Sequence, residues 1–316
     1  MSIQFGNAPC SWGTIEGFGE GVPADRMLDE LVLAGYRGTE LGDYGYLPTP
    51  VAGLRAALTR RGLTMLGAYE GVYLRDPAAL ADGQARVLRV ARQLRAVADI
   101  GDPDWQPLVV LADEHSRDHA RSQNAGRITP ELALDEAGWR TFTAGAEQIA
   151  RAVMAETGLR TVFHHHCGGY IETPDEIATF LTRTDPALIG LVFDTGHALY
   201  GGGDSQSSAL LDSLRRFQER IWYVHFKDVS APVAAQARQM GLSYQQAVGA
   251  GVFCELGRGV VPFPAVLREL EDGGYHGWIT AEQDVLPGMG EPLESARANR
   301  AYLDSLSPAG PAGGMG

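Results

Sequence analysis

Cysteine is scarce in this chain of 316 residues: Cys10, Cys167 and Cys254 are its only three, and no CxxC pair occurs. Three scattered thiols build neither a disulfide framework nor a thiolate zinc site, and they match a reducing, cytoplasmic compartment. Positive charge is also in short supply. Lys and Arg number 26 against 39 Asp and Glu, a formal net charge of -13. Such a field repels phosphate backbones and anionic lipid, which argues against nucleic acid and membrane as partners and against an endonuclease. A small, neutral substrate suits it better. Long apolar runs are missing as well. None approaches the roughly 18 residues of a membrane span, and the opening MSIQFGNAPCSWG lacks the basic-then-apolar order of an export signal. The run Gly201-Gly202-Gly203-Asp204 stands in a loop without the strand–GxGxxG–helix context, so a dinucleotide site is not expected.

What is present is a repeat of short β-branched runs and longer helical patterns, in a chain 45% hydrophobic and long enough for one large core. Eight such runs are predicted as strands, starting at Ile3, Arg37, Leu63, Pro107, Arg160, Leu188, Ile221 and Gly277. Amphipathic helices are predicted between them, among them Ala24–Ala34, Ala78–Ala98, Leu132–Glu156 and Pro174–Leu181. Thr173-Pro174 reads as N-cap and first helical residue, and Gly35, Gly62 and Gly158 fall where helices end. The pattern predicts an α/β fold, a (β/α)₈ TIM barrel in one domain over 1–307, followed by a Pro/Gly-rich disordered tail at 308–316. A doubly wound open sheet uses the same units but gathers its chemistry at one switch point. Here the polar residues cluster at the ends of the last four runs. Asp228–Val261 lies outside the repeat and reads as an active-site loop carrying a helix over Ala234–Val248, a candidate lid or contact in a homo-oligomer.

Three runs end in metal-ligand side chains: Asp194 in LVFDTGH, His225 in YVHFKD and Glu282 in ITAEQD. In a barrel these ends converge on one axis, so two carboxylates and an imidazole can share a divalent cation. The mixed nitrogen and oxygen set suits Mn²⁺, Co²⁺, Fe²⁺ or Zn²⁺ rather than thiolate-seeking metals, with Mn²⁺ or Co²⁺ the expected ion although the donor set does not choose among them. The fifth run ends in His164-His165-His166, where alternation puts His164 and His166 on one face and His165 on the other. His164, or Glu172 returning on the following loop, is the fourth ligand in this reading. His225 and Lys227 share a face, which points Lys227 into the mouth as acid, base or enolate stabiliser, or into an ion pair with Asp194 or Glu282. His197, three residues after Asp194, contacts substrate or caps the next helix. Arg258, between Gly257 and Gly259, is a weaker candidate for substrate contact.

Taken in order, HHHCGGYIETPDEI, GLVFDTGHALYGGGD, RIWYVHFKDV, GVFCELGRGVVPF and GYHGWITAEQD resemble the xylose-isomerase-like sugar isomerase, epimerase and dehydratase barrels. Within that superfamily the chain is most similar to the inosose (2-keto-myo-inositol) dehydratases. The motifs cover Thr161–Asp284; NAPCSWG and AGYRGTELGDYGYLP are similar but less specific, and the stretch from Tyr69 to Gly158 carries nothing diagnostic. The resemblance implies one metal held by Glu, Asp, His and Glu from the last four strands. Asp194, His225 and Glu282 match the last three positions, and His164 stands where many relatives have glutamate. It also implies that His166 and His197 face substrate and that Lys227 belongs to an HxKD pattern. The implied chemistry is a hydro-lyase reaction on a keto-inositol or similar keto-polyol: proton removal α to the ketone, an enolate, and loss of the β-hydroxyl. Glu172, His166 or Lys227 is the base and His197 or Lys227 the acid. Keto-sugar isomerisation or epimerisation starts from the same enolate and is the alternative; a polyol-binding protein without catalysis is the third reading.

Overall fold

The computed structural model of the chain describes residues 3–14, 21–114, 117–203, 207–286 and 288–306. The expected tail at 308–316 and Asp204 lie outside the described residues. The barrel strands are β1 (Gln4–Asn7), β2 (Gly38–Thr39), β3 (Thr64–Met65), β4 (Gly67–Val72), β5 (Leu108–Asp113), β6 (Thr161–His164), β7 (Ile189–Asp194) and β8 (Ile221–Phe226), with β11 (Trp278–Ala281) last. They form one sheet in the order β3-β2-β1-β11-β8-β7-β6-β5-β4. Its pairings are all parallel.

Closure comes from β3 and β4, the two halves of the strand predicted from Leu63. They flank Leu66, whose N–H donates to Thr39 at 2.8 Å and whose carbonyl accepts from Leu108 at 3.0 Å. One half pairs with β2 and the other with β5, so the chain itself joins the two ends of the sheet into an eight-stranded barrel. The bore is filled by Leu66, Leu108, Val110, Val162, Val192, Tyr223 and Trp278, a packed interior rather than a pore. A second apolar layer lies between strands and helices. In it Phe163 stacks on Phe180 with ring centroids 4.3 Å apart, and Phe142 meets both rings edge-on.

The predicted helices appear at Ala24–Leu33, Pro77–Arg95, Glu136–Thr157 and Pro174–Arg183. Thr173 makes the expected cap, a reciprocal one in which its hydroxyl accepts from the Glu176 N–H and the Glu176 carboxylate accepts from the Thr173 N–H. The insert differs from expectation. Its single predicted helix is two, Ala231–Met240 and Tyr244–Gly249, and its ends pair as an antiparallel ribbon, β9 (Asp228–Val229) with β10 (Phe253–Cys254). Gly241, at φ 65°, turns the chain between the helices in a conformation only glycine adopts at no steric cost. No helix among the described residues is long and apolar enough to cross a membrane.

Candidate metal centre and active site

The strands point their C-terminal ends at one mouth, and four side chains meet there. His164 is the last residue of β6, Asp194 the last of β7, and His225 the penultimate of β8. Glu282 follows β11 and is pinned by its N–H to the Phe226 carbonyl at 2.9 Å. One ligand atom from each of the four lies within 4.8 Å of every other. Asp194 also caps the helix Thr195–Gly201: its Oδ1 accepts from the His197 N–H at 2.8 Å, which leaves Oδ2 facing the others. That Oδ2 is 3.6 Å from His164 Nε2 and 3.9 Å from His225 Nδ1, and His225 Nδ1 is 3.2 Å from Glu282 Oε1.

These residues fit a divalent cation. Donors bound at about 2.0–2.2 Å stand about 3.0–3.6 Å from one another, close to the separations here. Asp194 Oδ2 and His225 Nδ1 are buried and make no hydrogen bond, so each keeps an unused lone pair or proton at the centre of the group. Charge points the same way. Glu40, Asp194, Glu282 and Asp284 bring four carboxylates into a largely buried site against Lys227 and, without a cation, a protonated His225, so negative charge is in excess even then, and buried charge of one sign is costly unless balanced.

Lys227 is the only lysine in the chain. Its Nζ lies 3.2 Å from Glu282 Oε2 and 3.2 Å from Asp284 Oδ1. Burial would lower the pKa of this amine, but Asp284, Glu282 and Asp194 outweigh it and hold the ammonium form. Its stem passes over Gly196, where a Cβ would fall 2.7 Å from Lys227 Cγ. For Asp194, burial alone would raise the carboxyl, but His164, 3.6 Å from its Oδ2, and the Lys227 charge hold it well below the usual carboxylate range. His225 shows the reverse balance: burial works against its proton, and Glu282 and Glu40 raise it to about 9 without a cation.

Beside this four-residue cluster stand His166 and His197, ring centroids 4.0 Å apart. The peptide groups of Cys167 fix their tautomers in opposite senses. A carbonyl can only accept, so His166 Nδ1, 2.8 Å from the Cys167 oxygen, carries a proton, and Nε2 is the nitrogen able to accept. The Cys167 N–H donates to His197 Nδ1 at 3.2 Å, so the proton of the neutral ring is on Nε2, which is buried and has no partner. Burial keeps His197 neutral, lowering its pKa well below the ordinary value. Tyr244, from the second helix of the insert, lies over the pair with its hydroxyl 3.3 Å from His166 Nε2. These groups line a cavity of about 180 Å³, closed further by Cys10, Tyr69, Gln245 and Val248. A larger cavity of about 470 Å³, lined by Trp105, Arg160, Trp222 and Tyr275, lies at the opposite end of the barrel. Faces at that end of the fold serve stability rather than chemistry.

Other candidates fall outside the cavity. Glu172 does not reach it: both carboxylate oxygens are taken by backbone, Oε1 by the Gly126 N–H and Oε2 by the Gly168 N–H, each at 2.6 Å. Its position ties two loops together, which corrects the expectation that it serves as ligand or base. His165 faces away from the mouth, fully buried beside Phe193, and its Nε2 accepts from the Asp194 N–H at 3.2 Å. Arg258 sits at the surface in an ion pair with Glu255 at 2.7 Å and does not turn toward the site. Glu40, Asp284 and Tyr244 were not singled out from sequence. Asp284, two residues past Glu282 in AEQD, and Glu40, at the end of the GTE run, carried a signal in their strand-end positions; Tyr244 carried none.

Residues 28–306 match the xylose isomerase-like TIM barrel family, and the chain belongs to it. Within that family it is an inosose dehydratase-like member. It is 30% identical over 306 residues to an inosose dehydratase of Geobacillus kaustophilus, covering 96% of this chain and 94% of that one. It is 32% identical over 313 residues to the rhizopine catabolism protein MocC of Rhizobium meliloti, covering 98% and 90%. Among solved structures, the IOLI protein with a zinc atom superposes at a TM-score of 0.68 with 13% identity over 96% of this chain and 97% of that one. The 3-keto-D-glucoside 4-epimerase of E. coli superposes at 0.64 with 16% identity over 96% and 100%. At such identities these likenesses speak for the fold alone.

Proposed function

We propose that the protein is a hydro-lyase that removes water from a keto-inositol or a similar cyclic or linear keto-polyol through an enolate, with a divalent cation held by His164, Asp194, His225 and Glu282. The observation that carries this reading is the pairing of that four-donor cluster with two histidines of opposite hydrogen-bonding sense in one cavity. The names of the relatives support the substrate class and the elimination. Mn²⁺ or Co²⁺ is the expected ion, with Zn²⁺ or Fe²⁺ the alternatives.

A cation bound in the cluster supplies Lewis acidity toward the carbonyl oxygen, which makes the adjacent C–H more acidic. His166 Nε2 takes the α-proton, the Cys167 carbonyl holding its ring in the accepting tautomer. His197 Nε2–H donates to the departing β-hydroxyl, which leaves as water. Lys227, held by Glu282 and Asp284, places positive charge beside the developing enolate. Tyr244, Gln245 and Val248 roof the cavity and exclude water.

The test is incubation of metal-loaded protein with 2-keto-myo-inositol. Loss of one water and formation of an α-diketone are expected; an isomer of unchanged mass points instead to the epimerase reading. Asp194→Ala and Glu282→Ala should lose both bound metal and turnover, and unchanged metal content in the two variants contradicts the assigned ligand set.

A further inference from the structure

We infer that Glu40, which lies outside the ligand set, orients His225 for the cation and so controls how tightly the site holds its metal. The inference rests on the metal-dependent reading above. Glu40 follows β2, and β1 and β11 separate β2 from β8 around the sheet. Its side chain therefore crosses the mouth to reach His225, 185 residues away in sequence, with Oε1 2.9 Å from His225 Nε2. The same oxygen accepts from the Tyr223 hydroxyl at 2.8 Å, and that hydroxyl also contacts Thr280 Oγ1. Glu40, Tyr223 and His225 are all buried, so water does not compete for these bonds.

The consequence follows from the two nitrogens of one ring. In the neutral ring that a cation would bind, an Nε2 facing a carboxylate carries the proton, which leaves the lone pair on Nδ1, the atom facing Asp194 and Glu282. Glu40 thus sets the tautomer, stops ring rotation and, as a negative acceptor, makes Nδ1 a stronger donor to a cation. Because Nε2 and Nδ1 point to opposite sides of the ring, Glu40 Oε1 is behind the ligand rather than among the ligands. Tyr223 holds the carboxylate in turn, and its hydroxyl is itself in contact with Thr280 on the neighbouring strand. Of the four proposed ligands, His225 is the one with a second carboxylate aligned behind it in this way.

The experiment uses the full chain and Mn²⁺ alone as probe, with affinity read by chelator competition, the visible spectrum of the Co²⁺-loaded protein, and thermal unfolding of the metal-free form. Glu40→Gln should weaken Mn²⁺ binding by about 10–100-fold and alter the Co²⁺ spectrum. Tyr223→Phe, which keeps the ring and removes one support of the carboxylate, should weaken binding in the same direction by less. A role in folding alone would lower the melting temperature and leave affinity and spectrum in the folded protein unchanged. Folded Glu40→Gln that binds Mn²⁺ within about twofold of wild type overturns the inference while leaving the metal site intact. Should Glu40→Gln fail to fold, unchanged affinity in Tyr223→Phe overturns it. Wild-type protein that takes up neither ion overturns the metal-dependent reading and this inference with it.

Discussion

Glu172 gives a quantitative test of the distinction between the residues that line the site and those that support it. Burial raises this carboxyl from 4.5 to about 7, even though the Gly168 and Gly126 amides both donate to it. The sign follows from proton binding. Between pH 4.5 and 7 the folded state holds the proton and the unfolded state has released it, so stability falls as pH rises through this window. Above pH 7 the deficit is complete, and at 1.36 kcal/mol for each pH unit of the shift it amounts to about 3 kcal/mol. Glu172→Gln removes the titration. It also turns an amide NH₂ toward one of two backbone N–H groups, a pH-independent loss of roughly 1–3 kcal/mol that moves the whole curve. Urea unfolding of both proteins, metal-free, from pH 5 to 8 separates the two effects. The stability difference between them should change by about 3 kcal/mol across the window in favour of glutamine as pH rises. Parallel curves would refute the reasoning, because they would mean that the buried carboxyl titrates alike in folded and unfolded chains.

The histidine pair should divide the reaction into its halves. His166→Gln is expected to slow exchange of the α-proton with deuterated solvent by about 10²–10⁴-fold, followed by NMR. His197→Gln should retain that exchange while losing elimination by a similar factor, and equal loss of exchange in the two variants contradicts the assignment of base and acid. In the outer core, Phe163→Ala leaves a cavity between Phe142 and Phe180 and should cost about 3–5 kcal/mol in urea unfolding. A cost under about 1 kcal/mol would mean that the site collapses around the missing ring.

Much of the barrel was legible because its signals are local. Strand alternation and helix caps act over a few residues, and the predicted strands and the Thr173 cap are found where the pattern put them. The β9–β10 ribbon was not legible, since two-residue pairings carry no period to detect. The break at Leu66 was equally hidden: it arises from closing the sheet, a condition on the whole barrel rather than on the run.

By itself the sequence determined which strand ends carry polar, cation-seeking side chains. His164, Asp194, His225 and Glu282 stand at the ends of apolar runs, and parity along a run sets which residues share a face. It also determined the acidic balance, a formal net charge of -13. Tertiary structure alone set His164 beside Asp194 and His225 and Glu172 apart from them: both are close in the chain, and only the folded loops show the Glu172 oxygens committed to Gly126 and Gly168. It alone brought Glu40 behind His225 and Tyr244 over the histidines. The physical reason is the same in each case: a hydrogen bond depends on where two groups end up in space, and for pairs joined across a closed barrel no periodicity along the chain records that distance.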